Sequence, residues 1–402
     1  MRRFGVWVAS GLAGIGAAWL VACVGDSVTP PPSGTDAGTN EAASDAPVAD
    51  APSCASPLQA CGSKCTNVAD DGENCGTCGR SCAGAACKAG QCQPQVLTDK
   101  LDSPWGVAVV DSPPVVVIAA KPSLLRCAKT GCAPASPLWT AANYPPRADT
   151  SIVVDPTNSG TAYAIVETPD AGVQVRRTGL QQSTTIPGPL NGTNVGPTTR
   201  SLHLEGNRLV VSRDPTIYTC TTGSCGTFDT VYSSLYLGDG AQAPGAPGEF
   251  VFGGGEFGTD GLRKCPRNIP CNSTELVTRA KSGAVNFTQV VGSTVFWVDQ
   301  SGTKSRVLAC ALAGCSGNPT VIAGGEETIG GLVVDAKAAY WTATVAGVVR
   351  VCRDLVKGCG TGAVNLATGQ TNPKQIGQDA TAIYWVNAGV GANTGSLVKL
   401  AK

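Results

Sequence analysis

The chain repeats itself at a fixed spacing. The apolar strand containing Tyr340-Trp341 has counterparts at Phe296-Trp297 and Tyr384-Trp385, each 44 residues away. Weaker copies stand at Phe250-Val251-Phe252, Leu209-Val210-Val211, Ala162-Tyr163-Ala164 and Val115-Val116-Val117, bringing the marks to seven. A second marker follows the strand in five copies: Cys127/Cys132, Cys220/Cys225, Cys265/Cys271, Cys310/Cys315 and Cys352/Cys359. In the second copy Val175-Arg176-Arg177 takes that place without cysteines, and in the seventh Leu397-Val398-Lys399 does so. The copy from Gly330 to Gly369 reads as four short strands: LVVD, AAYWT, VVRVC and AVNLATG.

A four-stranded unit of this length is apolar on both faces and needs a neighbour on each side, so copies stack into a ring. The period therefore predicts an all-β chain whose residues 94–402 form a seven-bladed β-propeller. The irregular copies around Gly238–Gly248 leave six or eight blades as the alternative. The last copy supplies three strands, and Val96-Leu97-Thr98-Asp99 parallels Val364-Asn365-Leu366-Ala367. Pairing the first strand with the last copy would close the ring and remove an edge. Gly (51) and Pro (27) are frequent and charged residues are only 14% of the chain, which suits short strands and tight turns rather than long helices.

Nineteen cysteines indicate an oxidising compartment or metal sites. Arg2 and Arg3 precede an apolar run from Phe4 to Ala22, the pattern of a secretory signal. The run ends in Leu20-Val21-Ala22-Cys23, which resembles a bacterial lipobox. That resemblance implies a signal peptide over residues 1–22 and a lipidated Cys23, hence an extracytoplasmic lipoprotein whose partner is the membrane. Val24 in place of Asp points to the outer membrane or cell surface. The competing reading is a plain spanning anchor. Residues 23–53 carry Pro30-Pro31-Pro32 and five acids without a base over 24–53, the composition of an unstructured tether.

Residues 54–93 form a second cysteine-dense unit: Cys54, Cys61, Cys65, Cys75, Cys78, Cys82, Cys87 and Cys92. Leu58 and Val68 are its main apolar residues, too few for a core, so cross-links must replace one. Four disulfides are expected, with connectivity open among 105 arrangements. Zinc is the competing reading, because Cys75-Gly76-Thr77-Cys78 has ligand spacing. With one cysteine for lipid, eight for this module and ten in five local pairs, the count closes. The run Asn74-Cys75-Gly76-Thr77-Cys78-Gly79, followed by Cys82, Cys87 and Cys92, resembles the small cysteine-rich modules of surface lipoproteins from myxobacteria and related bacteria. The resemblance implies an extracytoplasmic setting and no defined activity. The Tyr340-Trp341-Thr342 element also resembles the YWTD class of extracellular propellers, although Ala343 stands where that class has Asp and six blades are usual there.

Most recurrent residues read as scaffold. Asp111, Asp155, Asp335 and Asp379 fall between first and second strands, where Asp closes a tight turn. The aromatic pairs alternate along a strand and are expected to pack against both neighbours. Acidic and basic residues balance at 29 each, which offers no footprint for nucleic acid. The single histidine, His203, lies in an alternating strand and admits at most one Ser-His-Asp arrangement. Individual residues concentrate after the second strands: Glu167, Asp170, Arg213, Asp214, Glu256, Asp260, Asp299 and Lys304. These loops should gather on one face of the ring, opposite the cysteine-clipped turns. The expected function is a binding or scaffold lipoprotein that takes a protein or glycan ligand there, with no cofactor and no metal. The alternative is a propeller hydrolase, lactonase or lyase using the loop carboxylates.

Overall fold

The computed structural model describes residues 52–402 except 133, 141–151, 156–160, 169–171, 180–182, 186–198, 206, 214–215, 223–228, 234–235, 243–249, 256–260, 266–274, 279–283 and 302–303. The signal, the tether and Cys23 lie outside the described residues.

The cysteine-dense segment holds two small hairpins, β1 (Gln59–Cys61) with β2 (Lys64–Thr66) and β3 (Cys87–Lys88) with β4 (Gln91–Cys92). Four disulfides take the place of a core: Cys54–Cys65, Cys61–Cys78, Cys75–Cys87 and Cys82–Cys92. The Sγ atoms of Cys75, Cys82 and Cys92 lie within 4.8 Å of one another, but each is already spent in a disulfide. A metal would have to displace those bonds to find a thiolate.

Everything after the module is a β-propeller of antiparallel sheets. The described strands form seven four-stranded sheets. The first holds β6 (Gly106–Val110), β7 (Val115–Ala120), β8 (Ser123–Ala128) and β9 (Ser136–Thr140). The second holds β10 (Ile152–Asp155), β11 (Thr161–Thr168), β12 (Gly172–Gly179) and β13 (Ser183–Thr185). The third holds β14 (Thr199–Glu205), β15 (Arg208–Arg213), β16 (Thr216–Thr221) and β17 (Asp229–Ser233). The fourth holds β18 (Tyr236–Gln242), β19 (Phe250–Gly255), β20 (Leu262–Cys265) and β21 (Glu275–Thr278). The fifth holds β22 (Ala284–Val291), β23 (Thr294–Ser301), β24 (Lys304–Ala311) and β25 (Thr320–Glu326). The sixth holds β26 (Ile329–Val334), β27 (Ala339–Ala343), β28 (Val348–Cys352) and β29 (Val364–Ala367). The seventh is β30 (Pro373–Gln378), β31 (Ala382–Asn387) and β32 (Gly395–Ala401), completed by β5 (Gln95–Leu101) from the start of the chain. The first strand of each sheet lies beside that of the next, and β30 returns to β6.

The core sits between sheets, as the two-faced pattern requires. Tyr340 packs with Ile376, Ile383 and Trp385 toward the seventh sheet. Its neighbour Trp341 packs with Phe296, Val298 and Val307 toward the fifth. Successive strand residues face opposite ways, so one Tyr-Trp pair serves two interfaces. Tyr384 and Val386 meet Val107, Val116 and Ile118 and join the last sheet to the first. Trp297, Trp341 and Trp385 are fully buried.

The paired cysteines do more than close hairpins. Cys127–Cys132, Cys310–Cys315 and Cys352–Cys359 are bonded as expected. Cys220 and Cys265 are also disulfide-bonded, while Cys225 and Cys271 lie outside the described residues. The clipped turn reaches across to the outer strand of the preceding sheet. Cys132 donates its N–H to Leu97 O at 2.9 Å, and Cys359 donates to Ile322 O at 2.8 Å. Gly324 returns a bond to Gly360 O at 3.2 Å, and Ala323 and Gly360 form a parallel bridge. Gly358 sits at φ 76° where a Cβ would overlap the Val321 carbonyl, so only glycine lets this turn lie so close. These two clips are thus straps over a neighbour's edge, a role that pair spacing did not reveal.

Candidate functional site

At the end of each sheet opposite the clips, the second strand turns into the third. Two residues after the tryptophan, the second strand carries Asp299 in the fifth sheet, Ala343 in the sixth and Asn387 in the seventh. The scaffold beneath repeats while this position changes, and its surroundings change with it.

In the sixth sheet Trp341 Nε1 donates to Glu326 Oε1 at 3.3 Å, and Arg350 donates to the same oxygen at 2.6 Å. Glu326 is the last residue of β25 and is 4% exposed. In the seventh sheet Gln370 replaces Glu326, 44 positions on. Its Oε1 accepts from Trp385 Nε1 at 3.0 Å and from Asn387 Nδ2 at 3.0 Å. Asn387 also donates to Ser396 Oγ at 3.3 Å. The device is a polar side chain 15 residues before Trp341 and before Trp385 that satisfies the buried indole N–H. In the fifth sheet Asp299, 1% exposed, is held by the guanidinium of Arg306 on the facing strand.

These contacts relocate the sequence candidates. Asp299 and Lys304 do not act together: Asp299 is a buried strand residue paired with Arg306, and exposed Lys304 approaches Glu327 at 4.0 Å. Glu167 lies within β11 and Arg213 ends β15, so neither is in a loop. Asp170, Asp214, Glu256 and Asp260 lie outside the described residues. His203 is a half-buried residue of β14. The loop from Ala343 to Gly347 leans on the next connection, where Gln370 donates its N–H to Gly347 O at 2.8 Å. Its Val345 is exposed.

The clip end carries a second network. Asp335 Oδ1 accepts the N–H groups of Lys337 (2.8 Å) and Ala338 (2.9 Å), and Asp379 does the same for Thr381 and Ala382, each at 2.8 Å. This is the expected turn role. The other oxygen binds a lysine of the next sheet: Asp335 takes Lys402 Nζ at 2.8 Å, and Asp379 takes Lys129 Nζ at 2.8 Å. Each lysine also lies over the tyrosine of the same turn, Lys402 over Tyr340 at 5.4 Å and Lys129 over Tyr384 at 5.9 Å. Tyr384 donates its hydroxyl to Asp379 Oδ2 at 2.9 Å. Burial alone would raise the Asp379 pKa. The Lys129 ammonium, the two N–H groups and the Tyr384 hydroxyl overcome it and hold the group well below the usual carboxylate range. Burial and the Asp379 carboxylate together push the Tyr384 hydroxyl up.

Glu326, Gln370, Arg350, Lys129 and Lys402 escaped the sequence reading. The first two were findable, since they stand 44 residues apart and 15 before a tryptophan. The lysines come from copies that align poorly at that position.

No protein-family model matches the sequence, and no curated protein sequence matches it. Solved structures share the fold. The WD40 β-propeller domain of Doa1 superposes with a TM-score of 0.53 at 12% identity, over 77% of this chain and 97% of that one. PorZ, a surface component of the type-IX secretion system of Porphyromonas gingivalis, gives a TM-score of 0.52 at 12% identity, over 77% of this chain and 39% of its own. The extracellular domain of a one-component system of B. thetaiotaomicron gives 0.52 at 12% identity, over 76% and 40%. At such identities the likeness establishes one thing, that residues after the module fold as a β-propeller.

Proposed function

We propose that this chain is a lipid-anchored, extracytoplasmic binding module that presents the loop end of its propeller, the end opposite the straps, to a protein or glycan ligand. The reading takes the seven sheets as the blades of one closed ring. The observation that carries it is the complete pairing of cysteines: all sixteen in the described residues are disulfide-bonded. A chain built this way belongs where thiols oxidise. Cys23 supplies the anchor and residues 24–53 the reach from an outer membrane. The choice of end rests on the contrast between the two. The clip end repeats one Asp–Tyr–Lys network, whereas the loop end differs from sheet to sheet at Asp299, Ala343 and Asn387. Shared positions support a scaffold; differing ones suit recognition.

Two measurements test this reading with the full-length protein. Palmitate should label the wild type and not Cys23→Ser, and the variant should leave the membrane fraction. On a glycan and envelope-protein array, binding should fall at least tenfold in Val345→Arg and be unchanged in Lys357→Glu, which alters the clip end. Label retained by Cys23→Ser removes the anchor. Equal loss in Val345→Arg and Lys357→Glu removes the assignment of the binding face.

A further inference from the structure

Three straps can be traced among the described residues, and the outer strand of the sixth sheet stands beside a sheet that has no clip. The strap over β5 comes from the first sheet through Cys132, and the strap over β25 comes from the sixth through Cys359. In the fifth sheet a Cβ on Gly314 of the clip would lie 3.3 Å from Val277 O on β21. The rule is that sheet n+1 covers the outer strand of sheet n. By that rule β29, the outer strand of the sixth sheet, should be covered by a clipped turn from the seventh. Among the described residues the seventh sheet has none: its third strand β32 carries no cysteine and pairs with β5 from before the first sheet.

The cysteine module occupies that place. Cys75, Cys82, Cys87 and Cys92 belong to the same buried cluster as Val349, Val351, Ala367, Trp385, Val398 and Leu400 of the sixth and seventh sheets. Ala85 of the module and Leu366 of β29 are packed against that cluster. The chain route agrees, because the module runs into β5 through Gln93 and Pro94 alone.

We infer that the module is the strap of the sixth sheet: a docking partner in cis for the outer surface around Leu366, standing in for the clip that the seventh sheet cannot provide. A strap made of two short disulfide hairpins needs no core of its own, because it borrows one from the rim. Module and ring then open as one unit rather than as beads on a string. This inference concerns the rim and stands whether or not the loop end binds a ligand.

Hydrogen exchange on the full chain tests it, with variants that keep every cysteine. Ala85→Arg places a charge where the module meets the ring, and Leu366→Asp places one on the ring side. Both should speed exchange of the Asn365 and Leu366 amides at least tenfold and give a trypsin cut at Lys88 that the wild type resists. The Gly324 and Cys359 amides, under the sixth sheet's own clip, should keep wild-type rates, which shows that the propeller remains folded. A third variant, Lys64→Glu on the exposed side of β2, should leave β29 unchanged. The inference is overturned if Ala85→Arg frees the module to trypsin while β29 exchanges at the wild-type rate, because the module then covers nothing. It is also overturned if β29 exchanges as fast as an open edge in the wild type.

Discussion

Lys129 joins the first sheet to the seventh across 250 residues of sequence, and its removal should loosen the ring at its closure. Its ammonium stands 2.8 Å from Asp379 Oδ2, with the two side chains 13% and 8% exposed. Unit charges at that distance attract by about 6 kcal/mol at an effective dielectric of about 20. Desolvating both ions offsets most of this, so the net value of the pair is about 2 kcal/mol. The second contact, to Asp111 at 2.5 Å, adds little because that side chain is 82% exposed. In Lys129→Met the carboxylate keeps its bonds from Thr381, Ala382 and Tyr384. The loss should therefore be about 2–3 kcal/mol, below the cost of an uncompensated buried charge. Asp379→Asn keeps the turn acceptor and loses the charge. Urea unfolding of both single variants and the double variant at pH 7 should give a coupling of about 1.5–2.5 kcal/mol. The coupling depends on an ionised Asp379, whose folded pKa is depressed. It should be constant above about pH 4, the unfolded value, and should vanish as pH falls through the folded one. A coupling below about 0.5 kcal/mol at pH 7, or one that persists in strong acid, would refute the reasoning.

Four further outcomes follow from the same contacts. Asp335 is depressed as well, with burial opposed by Lys402 and two backbone N–H groups. Lys402→Met should therefore cost about 1 kcal/mol in urea at pH 7 and nothing at low pH, less than Lys129→Met because Asp335 is more exposed. Replacing both Cys352 and Cys359 by Ser should lower stability by about 2.5 kcal/mol on the chain-entropy estimate and raise exchange at Gly324 and Cys359 before any global opening. Gly358→Ala should cost about 1–3 kcal/mol, since alanine is strained at that φ and its methyl meets the Val321 carbonyl; an unchanged urea midpoint would remove the strap geometry. Glu326→Leu leaves the Trp341 indole and the Arg350 guanidinium without their shared acceptor and should cost about 2–4 kcal/mol, whereas Gln370→Glu should be nearly silent because Glu fills that place in the sixth sheet.

The repeat was legible because its signals are local and periodic. Trp297, Trp341 and Trp385 mark one strand position, and burial on both faces follows from alternation along that strand. The closing strand at Val96 was readable because an outer strand must carry the same pattern wherever the chain supplies it. Contacts between copies were not readable. Asp379 looked like a turn residue and is one, but its second oxygen takes a lysine that a sequence 250 residues away delivers. Cys352 and Cys359 looked like a hairpin clip because six intervening positions say nothing about which neighbouring edge the turn will lie on. Asp299 looked like a loop acid because Arg306, seven residues on, reads as an ordinary strand charge until the two strands pair. At the loop end, recognition would depend on positions that vary, and variation carries no period by which a sequence could flag it.

The claim on which the rest depends is that disulfides stand in for core and strap in an oxidising compartment. Mass mapping of the intact protein from the cell envelope, alkylated without reduction, tests it directly. The account expects Cys54–Cys65, Cys61–Cys78, Cys75–Cys87 and Cys82–Cys92 in the module, with Cys127–Cys132, Cys310–Cys315 and Cys352–Cys359 in the ring. Alkylated thiols at these positions, or a bond from the module to a ring cysteine, would contradict it.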